Sequence, residues 1–365
     1  MVECASEACL SLVALCRGEC LRTPPAELFS FILLAFSKMN PEVSVVIPTY
    51  NRRAMVERAI ESCFKGNEEV DVEVIVVDDG STDGTQEYLK NIDDERVRPI
   101  FQEHQGAQVA RNAGQEAARG KAIKHLDDDD YLLPGKLLGE VRTLRESGTD
   151  VCFAHFYKWD LAADKRWLFE NSGSEDPGAD FYVNLMSKSI DRLQLGLLFR
   201  RQAIQDLRWD ESLSYLQDVN FMMRAASRGL NCTKFDSPVA MHCIHEGDRI
   251  SDVREAAGAT RVISTKCRWY DQAYRDLKKE KEVELIHRKA TASGLWREAH
   301  KLAPYNWNEA HRWFQRALDL YPELLPRRSN KVFEGLDRMV SPLATERVVS
   351  PLRRYRLCVA KPAKL

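Results

Sequence analysis

The chain has 365 residues, 44% hydrophobic and 30% charged, with 53 lysines and arginines against 55 aspartates and glutamates. That is enough for one large domain with a full core plus an appendage, and the near balance of charge argues against nucleic acid as a partner, since it offers no general basic face. Ten cysteines without a pairing pattern fit a reducing compartment better than a disulfide framework.

Residues 1–40 read as an N-terminal extension without a fold role. Cys4, Cys9, Cys16 and Cys20 are spaced too irregularly for zinc ligand pairs. The apolar run Leu28 to Phe36 is far short of the roughly 20 residues that a membrane-spanning helix needs. Glu3 and Glu7 stand where a signal peptide carries positive charge, and Met39 offers an alternative start of translation.

From Val43 short β-rich runs alternate with helical ones: Val43 to Ile47, Ala54 to Phe64, Val72 to Val77, Thr85 to Lys90, Val97 to Gln102, Ala107 to Ala118 and Ala122 to Leu126. Continuous Val and Ile runs suit strands buried on both faces of a parallel sheet, and such sheets bind ligands beyond their carboxyl ends. Pro48-Thr49-Tyr50-Asn51, Asp78-Asp79-Gly80-Ser81 and Asp127 to Asp130 all fall at that edge. Four consecutive carboxylates repel one another, so the run is tolerated when solvated, when capping a helix, or when a hard cation neutralises it. With neither GxGxxG nor a GxxxxGK loop in the chain, nucleotide binding would rely on carboxylates and a metal.

The organisation expected is 1–40 as extension, 41–150 as a nucleotide-sugar-binding half, 151–252 as an acceptor-binding half of the same domain, and 253–365 as a helical C-terminal region. After Asp150, Phe153, Phe156, Tyr157, Trp159 and Trp167 accompany a loop-like stretch from Asn171 to Gly178. Leu195 to Arg200 reads as a strand, Asp218 opens a helical run that stops at Gly229, and Pro238 to Ile244 resumes strand character. Apolar spacing from Ala299 to Leu318 is similar to one unit of a helical hairpin repeat. Arg353, Arg354, Arg356, Lys361 and Lys364 make the C-terminus basic, either a solvated tail or a peripheral contact with an anionic membrane.

Four segments, Val-Ser-Val-Val-Ile-Pro-Thr-Tyr-Asn-Arg, Val-Val-Asp-Asp-Gly-Ser-Thr-Asp-Gly-Thr, Gln-Gly-Ala-Gln-Val-Ala-Arg-Asn-Ala-Gly and Leu-Asp-Asp-Asp-Asp-Tyr-Leu-Leu-Pro, closely resemble in order and spacing the family 2 inverting glycosyltransferases. The resemblance covers about residues 42 to 250 and is more specific in its first half. It implies a GT-A fold, an α/β domain with a mostly parallel sheet flanked by helices. It also implies a nucleotide-diphosphate sugar as donor, UDP-linked first, a Mn²⁺ or Mg²⁺ ion, and a glycan, lipid-linked or other hydroxyl acceptor in polysaccharide or glycoconjugate synthesis. The work would be done in the cytoplasm or at the inner face of the membrane, by a single chain or a homodimer.

Carried over by position, the resemblance has Pro48, Thr49 and Tyr50 line the base and ribose pocket, with Asp79 on the nucleotide, Asp78 beside it, and Arg52 and Arg111 assisting. Its Asp-x-Asp motif aligns with Asp127, Asp128 and Asp129: Asp127 would face ribose or metal and Asp129 would ligate the ion, leaving Asp130 to cap the following turn. The family's general base matches Asp218 in Tyr-Leu-Gln-Asp-Val-Asn-Phe, with Asp210 and Glu211 as substitutes. Gln217 departs from the usual acidic neighbour. In the segment from His242 to Ser251, His245 fits a late metal ligand and Arg249 a phosphate contact, while a zinc site from Cys232, His242, Cys243 and His245 has unusual spacing.

Plainer readings stand beside these: an Asx turn at Asp78 and Asp79, a surface helix position for Arg111, an N-cap for Asp218 and a buried structural histidine for His245. A glycoside hydrolase has no need of a strand-end acidic cluster, and the aspartyl-phosphate pattern of phosphohydrolases does not follow the second strand. The rival from another class is a catalytically silent nucleotide-sugar-binding or scaffold protein, with Gln217 as the mark of decay.

Overall fold

The structure, a computed structural model, describes residues 40–174, 176, 178–191, 193–245, 256–324 and 341–347. The N-terminal cysteines, the 28–36 run, Met39, Arg249 and the basic tail lie outside the described residues.

Strands β1 (Val43–Thr49) and β2 (Val72–Asp78) are buried at every residue, which explains their unbroken Val and Ile runs: helices cover both faces, so no polar alternation is required. β3 (Val97–Phe101) pairs with β2, and β4 (Ala122–His125) with β1, all parallel. Helices α1 (Arg53–Phe64), α2 (Thr85–Lys90) and α3 (Ala107–Ala117) make the crossovers, within a residue of the sequence expectation.

The sheet then continues as one surface. Its order is β3-β2-β1-β4-β9-β6-β10-β5, where β5 is Tyr131–Leu132, β6 Val151–Asp160, β9 Leu197–Arg200 and β10 Asn231–Ile244. β9 runs antiparallel to both β4 and β6. Among the described residues β7 (Lys165–Phe169) pairs with β6 alone, and β8 (Ala179–Asp180) with β10. β10 is longer than expected because its first half, Asn231 to Asp236, is polar and breaks register between Phe235 and Pro238, which hides a strand from a pattern of alternation. On either side of β1 the chain departs in opposite directions, to β2 and to β4, and the crevice at that reversal is where such sheets hold ligands.

Two buried layers flank the sheet. One joins α1 and α4 (Lys136–Ser147) to one face. The other takes α3, α5 (Phe181–Ser187) and α7 (Gln217–Ala226), with the short α6 (Arg201–Ile204) between the last two. This second core extends through the C-terminal helices α8 (Ala256–Glu280), α9 (Leu285–Leu302) and α10 (Trp307–Leu320). The apolar spacing after Ala299 therefore belongs to two helices, broken at 303–306.

α9 is tied to α5 by a hydrogen bond between Tyr182 and Thr291 at 2.7 Å and by His287, 2.9 Å from Asp180, the residue whose side chain caps α5. Since α8 packs on α7, the C-terminal helices support the element that carries Asp218. No described helix is long and apolar enough to cross a membrane. The five described cysteines, Cys63, Cys152, Cys232, Cys243 and Cys267, are buried free thiols.

Candidate active site

The first wall of the site is built by the turns that end β1 and β2. Asp78 is fully buried and accepts from the Gly80 and Ser81 N–H groups at 3.2 and 3.0 Å and from Gln86 at 2.9 Å. This Asx turn needs the positive φ of Gly80, 82°. Asp79 accepts from Gln102 Nε2, Gln105 N–H and Gly106 N–H at 2.7 to 2.9 Å and lies 2.9 Å from His104. The Asx reading is therefore correct for Asp78, while Asp79 is committed to the loop after β3. Asp78, not Asp79, keeps an oxygen without a hydrogen-bond partner among the described residues, its buried Oδ1.

Pro48 is buried within β1, and Thr49 donates to Asp128 at 2.8 Å. Tyr50 is open to solvent and stacks on His104, with centroids 4.1 Å apart. His104 has no counterpart among the sequence expectations. Its position just past the end of β3, on the ligand-bearing edge, was the available signal.

The acidic run forms the floor. Asp127 accepts from Arg111 at 2.6 Å and from Gln194 at 2.8 Å. Asp128 accepts from Arg52 at 2.8 Å besides Thr49. Asp129 accepts from Arg52 at 3.0 Å and lies 2.9 Å from His245 Nε2, while its carbonyl accepts from Arg58. Asp130 does not cap the following turn. It accepts the Cys243 N–H at 2.8 Å and sits 3.1 Å from His242 Nδ1, because β10 runs alongside and presents donors that the turn lacks. Arg111 is likewise no surface residue: its guanidinium is buried, 4.7 Å over the Trp209 ring.

Charge is divided unevenly. Burial opposes ionisation of Asp127, but the adjacent Arg111 outweighs it and holds this carboxyl below the usual range. Burial pushes Asp128 and Asp130 up to about 6.

Among the described residues, Asp127, Asp129 and Asp130 offer oxygens that all lie within 4.8 Å of one another. An all-carboxylate set with a neighbouring imidazole suits Mg²⁺ or Mn²⁺, which prefer hard oxygen donors, so the residues present fit the expected ion. Cys232, His242, Cys243 and His245 form no such group, and Cys232 instead meets Asn184 in the helical core.

Asp218 faces this floor from α7. It is not an N-cap: Leu216 holds that position with φ 57°, and Asp218 lies in the first turn. Burial, with the charge of Asp127 added, pushes its carboxyl up to about 6 against the pull of Arg111, and it feels Asp130 and His242 as well. Its Oδ1 is buried without a hydrogen-bond partner among the described residues. Gln217 accepts from Arg111 at 3.2 Å, and Gln194, which donates to Asp127, is a neighbour that no local motif announces. The substitutes are occupied elsewhere: Glu211 accepts from Asn112 at 2.8 Å, and Asp210 from Ser212.

Comparison with known proteins finds that residues 44–225 match the model of glycosyl transferase family 2. Succinoglycan biosynthesis protein ExoO of Rhizobium meliloti is 31% identical over 57% of this chain and 62% of its own length. A Campylobacter jejuni GalNAc(5)-diNAcBac-PP-undecaprenol beta-1,3-glucosyltransferase is 39% identical over 27% of this chain and 32% of its own. The chain thus spans less than two thirds of the length of these curated relatives. Among solved structures, S. aureus TarS 1-349 in complex with UDP-GlcNAc superimposes with a TM-score of 0.55 at 15% identity, covering 88% of this chain and 93% of that one. The likeness to TarS shows the fold.

Proposed function

The chain belongs to glycosyl transferase family 2 through residues 44–225, and from that premise we propose that it moves a sugar from a nucleotide-diphosphate donor to a hydroxyl acceptor with inversion at the anomeric carbon. The observation that carries this reading is Asp218, a carboxyl raised to about 6 with one oxygen unbonded, set across from a cluster of carboxylates.

Asp127, Asp129 and His245 would hold the ion, with Asp130 fixing β10 behind them. Bound there, Mn²⁺ or Mg²⁺ supplies positive charge to the leaving diphosphate. Tyr50 and His104 offer a flat face to the base. Arg52, which bridges Asp128 and Asp129, is placed to exchange a carboxylate for a donor phosphate. Asp218 takes the proton of the acceptor hydroxyl as its oxygen attacks the anomeric carbon, and the bond to the diphosphate oxygen breaks on the opposite side.

UDP-sugars are the first donors to test, since TarS was solved with UDP-GlcNAc. The names of ExoO and the Campylobacter enzyme support a polysaccharide or lipid-linked acceptor. Residues 41–150 would bind the donor and 151–252 the acceptor.

The decisive experiment measures thermal stabilisation and release of the leaving nucleotide (the nucleoside diphosphate from UDP, GDP and dTDP sugars, CMP from CMP sugars), with and without Mn²⁺. One donor is expected to stabilise the protein only with the ion present, and Asp218→Asn to keep that binding while turnover falls about 10²–10⁴-fold. Undiminished turnover in Asp218→Asn would remove the assigned base. Binding without turnover for any donor and acceptor would make the chain a silent nucleotide-sugar-binding protein.

A further inference from the structure

The hairpin of β6 and β7 carries two tryptophans that are used differently. Trp159 is covered by Arg166, 3.8 Å from its ring centre, and gives its indole N–H to Asp164 at 3.0 Å. Trp167 is 38% open to solvent, and among the described residues no ring, cation or hydrogen-bond acceptor meets its indole.

The sheet topology places this free indole beside the site. β10 holds one edge of β6, and the other edge is shared: β9 takes it from Val151 to Phe153, and β7 from Phe156 to Asp160. β7 therefore rises over the turn Gln194–Gly196 that leads into β9, and from that turn Gln194 donates to Asp127 at 2.8 Å. At the base of the hairpin Phe169 stacks on Phe156, with ring centres 5.0 Å apart.

Across the strands Trp167 is the register partner of Lys158, and Lys158 of His242. Register partners project from the same face, so the three make one row, spanning about 10 Å between the backbones of its two ends. His242 closes the row 3.1 Å from Asp130, and its charge acts on both Asp127 and Asp218. The face that carries Trp167 is thus the face turned to the acidic floor.

Composition indicates what binds there. Lys158, Lys165 and Arg166 are balanced by Asp160, Asp164 and Glu170, so the hairpin offers no net field to a charged ligand. An uncharged saccharide matches it: the C–H face of a pyranose packs flat on an indole, and its hydroxyls meet the indole N–H and the neighbouring charged side chains.

We infer that Trp167 is the stacking platform of an acceptor subsite, holding a sugar ring of a saccharide acceptor next to the unit that receives the transferred sugar. This names the acceptor class of the proposed transfer and rests on that reading for its place in the reaction, while the binding itself is tested without a donor.

The full chain is titrated with cellotetraose, laminaritetraose and chitotetraose, and with tetragalacturonic acid as the anionic counterpart, by calorimetry and tryptophan fluorescence. At least one uncharged tetrasaccharide is expected to bind, and to bind more tightly than the anionic one. Trp167→Ala should weaken that binding about tenfold, and Trp167→Tyr should restore most of it. Trp159→Phe, on the opposite face of the ribbon, should bind within about twofold of the native chain. With the same tetrasaccharide as acceptor, Trp167→Ala should raise the acceptor KM about tenfold and leave kcat within about threefold. Thermal midpoints of the variants report that the fold is intact. Saccharide binding that depends on Trp167, with no transfer from any donor, would keep the subsite and fail the transfer reading. Transfer with an acceptor KM unchanged in Trp167→Ala would fail the subsite alone. The inference is also overturned if no uncharged tetrasaccharide binds, or if Trp167→Ala binds it undiminished.

Discussion

Arg111 donates to Asp127 at 2.6 Å, and this bond separates the ionisation of two carboxyl groups that share one charged neighbourhood. Asp127 is held below the ordinary carboxylate range, whereas Asp218, buried and feeling the charge of Asp127, is pushed up to about 6. A general base must be deprotonated, so kcat/KM is expected to rise with pH through about 6 and level above it. A rate profile flat from about pH 5 to 8 would exclude Asp218 as the titrating base.

The same shift has a consequence for stability. The folded carboxyl holds its proton more tightly than the unfolded one, so the burial of Asp218 costs little below about pH 4, and the cost accumulates between about pH 4 and 6 and is fully present above that. Asp218→Asn should therefore be as stable as the native chain in acid and more stable at neutral pH, by on the order of 1–3 kcal/mol. Urea denaturation at the two pH values measures the difference. Greater stability of the native chain at neutral pH would contradict it.

Lys124 and Glu140 form a fully buried ion pair at 2.7 and 2.9 Å between β4 and α4. Because β4 leads into the acidic run, this pair anchors the floor of the site. Glu140→Ala leaves a buried ammonium without a partner and is expected to cost about 3–5 kcal/mol, while Lys124→Met with Glu140→Leu together should be near neutral. A double-mutant cycle by chemical denaturation checks both.

Much of this architecture was legible in the sequence because it is local. Val74 to Val77 announced a strand buried on both faces, and the turns after Thr49, Asp78 and His125 fell where a parallel sheet places its ligand edge. The roles within the edge were not legible, since they depend on pairings across long sequence separations. Asp130 resembled a turn cap until β10 supplied the Cys243 N–H, 113 positions away. Lys124 lay in a strand pattern with nothing to indicate that Glu140 would neutralise it. His104 and Gln194 belong to no motif and reach the site through the topology of β3 and β9.

Asp129 accepts from Arg52 and lies against His245 at 2.9 Å, so metal affinity and donor affinity are expected to fall together when it is changed. In the native chain a donor at 100 times its Kd, with Mn²⁺ present, should stabilise the fold by about 2.7 kcal/mol. Addition of EDTA or the change Asp129→Asn should abolish most of that increment. His245→Ala should reduce it less, since it removes one neutral ligand and leaves the carboxylates in place. Equal stabilisation in Asp129→Asn would assign the ion elsewhere.

Gln217 stands where the resembling family carries an acidic residue, and its contact with Arg111 at 3.2 Å shows what the amide does here. It accepts from the same guanidinium that holds Asp127, without adding a negative charge beside Asp218. Gln217→Glu should keep that contact and strengthen it through charge, while the introduced carboxylate repels ionisation of Asp218. The acidic limb of the rate profile is then expected to move upward by roughly 0.5–1 pH unit with the plateau changed by no more than about threefold. Gln217→Ala, which removes the contact, should lower the plateau without moving the limb upward. A hundredfold or greater gain in Gln217→Glu would mean that the amide has disabled the site, and steady-state rates across pH for these two variants distinguish a tuned base from a decayed one.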